Sequence, residues 1–216
     1  MVYSNLCSGV IQAANYTKGR NGYKVCKITP HHMAGKLTAK QCGYIFANKN
    51  RKASANYGIG DNGEVMCYVS EEDRSWASSN ALNDYQAITI EVSNSQNGEP
   101  WPISEAAWDS LVKLCVDICL RYDFRLTYDG TPNGSLTCHR MFTNTTCPGR
   151  TLYDRLPELA ETVNRLADDI ADGYKALDYL AEKGRITSKE YWKTQIRNVK
   201  DLKYVFMKWS KDINNC

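Results

Sequence analysis

The run Ala87-Ile-Thr-Ile-Glu-Val-Ser93 alternates side chains with a period of two, and eleven residues later the period becomes that of a helix. Ser104 is a capping residue, and after it Trp108, Leu111, Leu114, Cys115, Ile118 and Tyr122 share one helical face. A chain that switches period in this way buries both apolar surfaces by laying helices against a sheet. The rest of residues 1–169 repeats the alternation. Val25–His32 reads as a strand, and Thr38 with Gln41 three residues on reads as a capping box opening a helix to Asn48. Tyr57–Gly60 and Val65–Val69 read as short strands joined by the turn Asp61-Asn62-Gly63. Leu136–Met141 reads as a further strand, and Leu156-Pro157 opens a helix with the stripe Leu159, Val163, Leu166 and Ile170. The first twenty residues read as an irregular lead-in. The expected fold is α/β, a mixed central β-sheet flanked by helices, plus a small all-helical C-terminal unit.

That second unit is expected over residues 170–216, after a first domain of residues 1–169. Tyr174, Leu177, Leu180 and Ala181 lie on one helical face, and Gly184 ends that helix. Thr187-Ser-Lys-Glu190 reads as a capping box for a second helix with Tyr191, Trp192 and Ile196 to pack. Leu202, Val205, Phe206 and Trp209 form a third stripe. The full chain has 27 Lys+Arg against 24 Asp+Glu. Ten of the basic residues and six of the acidic ones fall in 170–216, so the excess sits in the tail. A net charge of +3 is too small to argue for nucleic acid. No window approaches the ~20 consecutive apolar residues of a membrane span. The start, Met1-Val-Tyr-Ser-Asn-Leu-Cys-Ser8, has no basic residue before Lys18, so a cytoplasmic origin without a secretory signal is expected. Nine Cys, an odd number, then read as mostly free, buried thiols. Cys115 and Cys119, at i and i+4 beside the apolar stripe, are expected to be core.

The chain has three His: His31 and His32 at the end of one expected strand, and His139 in another. Cys147 follows His139 by eight residues, inside Thr145-Thr-Cys-Pro-Gly149, where Pro148 and Gly149 favour a turn. Two imidazoles and one thiolate suit a tetrahedral zinc site with an open fourth position, the catalytic pattern rather than the structural one. Neighbouring residues on a strand point to opposite faces, so only one of His31 and His32 can reach such an ion. Which one it is stays open on spacing alone.

The segments Ile28-Thr-Pro-His-His-Met-Ala-Gly35, Ala53-Ser-Ala-Asn-Tyr-Gly-Ile-Gly60, Ile88-Thr-Ile-Glu91, Thr137-Cys-His139 and Thr145-Thr-Cys-Pro-Gly149 occur in a telling order. Over residues 25–165 they resemble the type 2 N-acetylmuramoyl-L-alanine amidase family, which includes phage lysozyme-amidases and peptidoglycan recognition proteins. His-His-Met-Ala-Gly and Asp73-Arg-Ser-Trp76 are most similar to enzymes from phages and prophages of clostridia-like bacteria. The resemblance implies a peptidoglycan recognition protein-like amidase fold and a Zn2+ ion held by His31, His139 and Cys147. His32 is then left to support the ligands, to line the substrate side, or to pack. It further implies Glu91 as the base acting on the zinc-bound water, Tyr57 as a stabiliser of the oxyanion, and Thr145 as a hydrogen-bond donor or a turn residue. Trp76 is implied to lie near the glycan and peptide groove.

The implied activity is hydrolysis of the amide between N-acetylmuramic acid and L-alanine of bacterial peptidoglycan. The alternative is a non-catalytic peptidoglycan-recognition module, a state that family members reach by losing zinc ligands, typically at the Cys. A peptidase of the His-Glu-x-x-His kind finds no such motif in this chain. The tail is expected to bind anionic wall polymers or to make a homo-oligomer. Access to the wall is expected through a holin-type lesion or host lysis.

Overall fold

The computed structural model describes residues 1–198 and 201–214. They divide into two compact units, Met1–Val163 and Asn164–Cys216. The division falls inside one long helix, Leu156–Glu182, six residues ahead of the boundary read from the sequence.

The first unit is built on a five-stranded sheet in the order β1-β4-β3-β5-β2. The strands are β1 (Gly9–Val10), β2 (Lys27–His32), β3 (Tyr57–Ile59), β4 (Val65–Cys67) and β5 (Ala87–Val92). Only β3 and β4 run antiparallel, joined by the expected Asp61-Asn62-Gly63 turn, while the other neighbours are parallel. The mixed sheet is therefore as the alternation predicts. The lead-in is not wholly irregular, because β1 completes one edge beside β4.

The two faces of the sheet differ in chemistry. In β5, Ile88, Ile90 and Val92 point one way while Thr89 and Glu91 point the other. Ile28 lies opposite Ile88 in the ladder, and Tyr57 lies opposite Ile90, so both join the apolar face. Helix α3 (Glu105–Tyr122) contacts β3 and buries Trp108, Leu111, Leu114, Cys115 and Ile118, the stripe read from the sequence. Ser104 caps it by accepting from Ala107 N at 3.1 Å. The other face carries Thr29, His31, Thr89, Glu91 and Gly58. Helix α1 (Ala39–Ala47) packs Cys42 and Phe46 against Met66 and Tyr68, and its Thr38–Gln41 capping box is present in both directions. A Cβ on Gly58 would lie 1.9 Å from the Tyr68 hydroxyl, so glycine is the residue that lets Tyr68 cross there.

Two short helices, α2 (Ala81–Gln86) and α4 (Arg150–Asp154), precede α5, the long helix Leu156–Glu182. The strand expected at Leu136–Met141 does not form. Leu136 makes a single parallel bridge to Ile28, and His139–Met141 is one 3-10 turn. The reason lies in β2, the edge strand. Ile28 N donates to Ser135 O, and Thr137 N donates to Ile28 O, so these groups of β2 face outward. Two residues on, the outward position belongs to Pro30, which has no N–H to continue a ladder.

In the second unit the end of α5 packs with α6 (Lys189–Asn198) and α7 (Leu202–Asn214). Ala176, Leu177, Leu180, Ile196 and Phe206 form its buried core, with Trp192 and Phe206 in edge contact at 5.5 Å. Gly184, at φ +66°, ends α5 as expected, and the amides of Gly184 and Arg185 close back on Ala181 and Leu180. Of the third expected stripe, Leu202 and Phe206 pack with that core, whereas Val205 and Trp209 are exposed. All eight cysteines among the described residues are free, and Cys115 and Cys119 are buried.

Candidate metal centre

Strand β2 ends on the histidine pair, and its pleat separates them. His31 stands on the polar face beside Glu91, its partner in the β2–β5 ladder. His32 turns to the opposite side, where its ring meets Trp101 edge-on at 5.1 Å. The pleat thus decides which imidazole reaches the site. His32 is 7% exposed and engages Trp101 on the far side from His31, so the expectation that it lines the substrate side is corrected.

His139 arrives from the 3-10 turn that follows the single bridge to β2, and its ring lies 5.0 Å from that of His31. Cys147 arrives from the following loop, with Sγ 3.4 Å from His31 Nδ1. One donor atom from each of His31, His139 and Cys147 lies within 4.8 Å of the others, a spacing that fits ligands around a single cation. Gly149, at φ +81°, makes the turn behind Cys147. A Cβ there would come within 2.7 Å of Trp101 and 3.0 Å of His32 Nδ1, so the loop closes tightly over both rings. The Thr145 hydroxyl accepts from Cys147 N at 3.2 Å and so holds the loop from the other side.

Electrostatics prepare this cluster for a cation. Burial, with help from the neighbouring imidazoles, lowers the His31 pKa to about 3, and burial also lowers that of His139. Both rings are therefore neutral at neutral pH and have lone pairs to offer. Burial pushes the Cys147 thiol well above its ordinary range, opposed in part by a hydrogen bond from the His32 amide. His31 Nε2 is buried and has no hydrogen-bond partner. A buried thiol and two neutral imidazoles, brought together away from water, form a donor set that fits a soft or borderline divalent cation.

Glu91 is half-buried, and burial raises its pKa to about 8, with Arg51 opposing. Beneath it and His31 lies a polar floor. Thr29 and Thr137 share a hydrogen bond of 2.8 Å, Asn83 bonds to both, and Ser75 meets Thr89 at 2.7 Å. These bonds fix the strand ends from which His31 and Glu91 project.

One further expectation changes. Tyr57 is fully buried on the apolar face, where its hydroxyl donates to Glu71 Oε1 at 2.5 Å and accepts from Ser4 N at 2.8 Å. One residue of pleat separates it from the metal side, so it is no stabiliser of the reacting oxygen. Trp76, expected near the glycan and peptide groove, is half-buried, its indole N–H donating to Thr17 Oγ1 at 2.9 Å. Two residues near the site escaped the sequence reading. Ser79 places its hydroxyl 3.2 Å from His139 Nε2, a contact that orients that ring. The run Ser78-Ser-Asn80 before α2 carried an N-cap signal, and Asn80 does cap α2. Trp101 gave no periodic signal, since it sits in a loop at φ +58°.

A family model described as N-acetylmuramoyl-L-alanine amidase matches residues 21–150. No curated protein matched the chain. Among solved structures, PlyL is similar at 18% identity and a TM-score of 0.54, over 71% of this chain and 89% of PlyL. N-acetylmuramoyl-L-alanine amidase LysC from Clostridium intestinale URNW is similar at 14% identity and 0.52, over 72% and 97%. An AmpD derivative is similar at 16% identity and 0.57, over 74% and 99%. Identities this low speak to the fold.

Proposed function

The chain belongs to the N-acetylmuramoyl-L-alanine amidase family and carries that enzyme activity, and from this premise we propose that it works as a zinc hydrolase in the manner of an endolysin. The observation that carries the zinc reading is the convergence of His31, His139 and Cys147, drawn from three separate segments, within 4.8 Å. Bound there, zinc supplies a Lewis acid with a position left for the substrate.

The remaining steps belong to the chain. In its carboxylate form Glu91, partly open to solvent, takes a proton from the attacking water and passes it to the departing L-alanine amine, its raised pKa keeping both forms accessible near neutral pH. Ser79 keeps the His139 ring aligned, and Thr145 keeps Cys147 in place. The substrate is the amide joining N-acetylmuramic acid to L-alanine in bacterial peptidoglycan.

Replacing Cys147 with Ser should strip the metal and abolish release of new L-alanine amino termini from purified wall. Full turnover by a metal-free protein overturns the zinc reading. Glu91→Gln should retain zinc yet lose about 10²–10⁴ in turnover, the usual worth of a general base. An unchanged rate removes Glu91 from the reaction.

The lytic role draws support from the endolysins among the structural neighbours. It predicts that protein added from outside lyses susceptible cells. The basic excess of residues 170–216 supports attachment to anionic wall polymers or self-association. Sedimentation with purified walls tests the first, and light scattering tests the second.

A further inference from the structure

Cys147 follows His139 by eight residues, and the chain between them forms no regular element beyond the single 3-10 turn His139–Met141. A stretch of that kind leaves an imidazole and a sulfur free to part unless something ties its two ends. Arg140, the neighbour of His139, ties them. Its Nε donates to the Cys147 carbonyl at 3.3 Å, and its Nη2 donates to the Thr146 carbonyl at 2.5 Å. Among the described residues no other hydrogen bond joins residues 139–142 to residues 145–149.

The guanidinium is held in turn. It lies over the Tyr153 ring at 4.2 Å, and Tyr153 belongs to α4, which begins directly after the loop. The Tyr153 amide donates to the Gly149 carbonyl at 3.0 Å, so the ring that supports Arg140 is fixed to the end of the same loop. The Thr146 carbonyl also accepts from Gly149 N at 2.8 Å, which makes it part of the tight turn around Cys147. Among the described residues no carboxylate forms an ion pair with Arg140, so no acid draws its donors away from the two carbonyls. A guanidinium suits this place because its N–H groups form a rigid fork that reaches two successive carbonyls while its flat face rests on an aromatic ring.

We propose that Arg140 is a positioning residue of the metal centre, fastening the loop that carries Cys147 to the turn that carries His139 and so holding sulfur and imidazole at ligand spacing before an ion arrives. The inference rests on the zinc reading above. A loop already closed loses less freedom when the ion binds, so the contribution of Arg140 is to metal affinity.

The test starts from the zinc-loaded full chain and measures transfer of zinc to a competing chelator. Arg140→Ala should raise the Kd for zinc about 10- to 100-fold, the usual effect of losing a partner that orients a ligand. Arg140→Lys should recover part of that loss, because one donor can still reach a carbonyl. Tyr153→Leu removes the supporting ring and should raise the Kd about two- to fivefold. Cobalt in place of zinc reports the sulfur itself. At equal, subsaturating free cobalt the sulfur-to-cobalt charge-transfer band should be weaker in Arg140→Ala than in wild type. An Arg140→Ala protein that binds zinc with wild-type affinity, whatever the change in its melting temperature, is braced and not positioned by this residue, and overturns the proposal. Should that variant not fold, wild-type affinity in both Arg140→Lys and Tyr153→Leu overturns it equally. A Cys147→Ser variant that holds zinc as tightly as wild type defeats the zinc reading itself and the proposal with it.

Discussion

Cys147 in its buried setting holds its proton firmly, and a metal ligand must give that proton up. His31, with its pKa lowered to about 3, is neutral already and releases nothing at neutral pH. Zinc uptake should therefore expel at least one proton, and affinity should tighten about tenfold per pH unit for each proton released. Calorimetry in buffers of different ionisation enthalpy reads that number directly, and a buffer-independent heat would contradict it. A second test concerns Tyr57. Because its hydroxyl serves Glu71 and Ser4 on the far face, Tyr57→Phe should leave turnover within about twofold while costing about 1–3 kcal/mol of stability, the penalty of unmet buried groups. A large loss of kcat with unchanged stability would return Tyr57 to the reaction. The three side chains that converge were legible in the sequence because His is scarce and Cys-Pro-Gly marks a turn. Tyr57 was misplaced because a motif fixes the neighbourhood of a side chain, whereas the parity of the strand fixes its face.

At the scale of elements, parity also explains what the sequence did reveal. Ile88, Ile90 and Val92 against Thr89 and Glu91 is a two-faced strand, and the alternation alone reveals both faces. The segment Leu136–Met141 misled for a nonlocal reason, since its pairing is stopped by Pro30, more than a hundred residues earlier in the chain. Gly58 is likewise silent in the sequence, yet it stands opposite Glu91 and admits the Tyr68 ring. Gly58→Ala should therefore cost about 1–3 kcal/mol by overpacking, read from the midpoint of urea unfolding. An unchanged midpoint would mean that Tyr68 can give up its bond to the Ala39 carbonyl at no cost. The carboxylate of Glu71, wholly buried, collects donors from Arg121, Tyr57 and Tyr122 on the apolar side. Glu71→Ala should cost about 2–4 kcal/mol, because it leaves two phenols without their acceptor and Arg121 with Asp117 alone.

Over the whole molecule, the two compact units have separate cores, and variants in one should report on that one first. Leu177 is fully buried in the helical unit, so Leu177→Ala should destabilise it by about 2–5 kcal/mol without altering metal content. Near-ultraviolet spectra of Trp192 and Trp209, set beside metal analysis, would show whether the two properties separate. The three residues that converge span 31–147, most of the first unit. Chelation should thus lower the melting temperature of the protein, since the ion binds the folded chain and not the open one. The same spacing governs synthesis. A chain leaving the ribosome exposes its first imidazole early, but the sulfur that completes the trio emerges only after most of the sheet has been made. Any fragment that stops short of residue 147 lacks the Cys147 sulfur, so only a chain translated nearly through its first unit can bring all three side chains together.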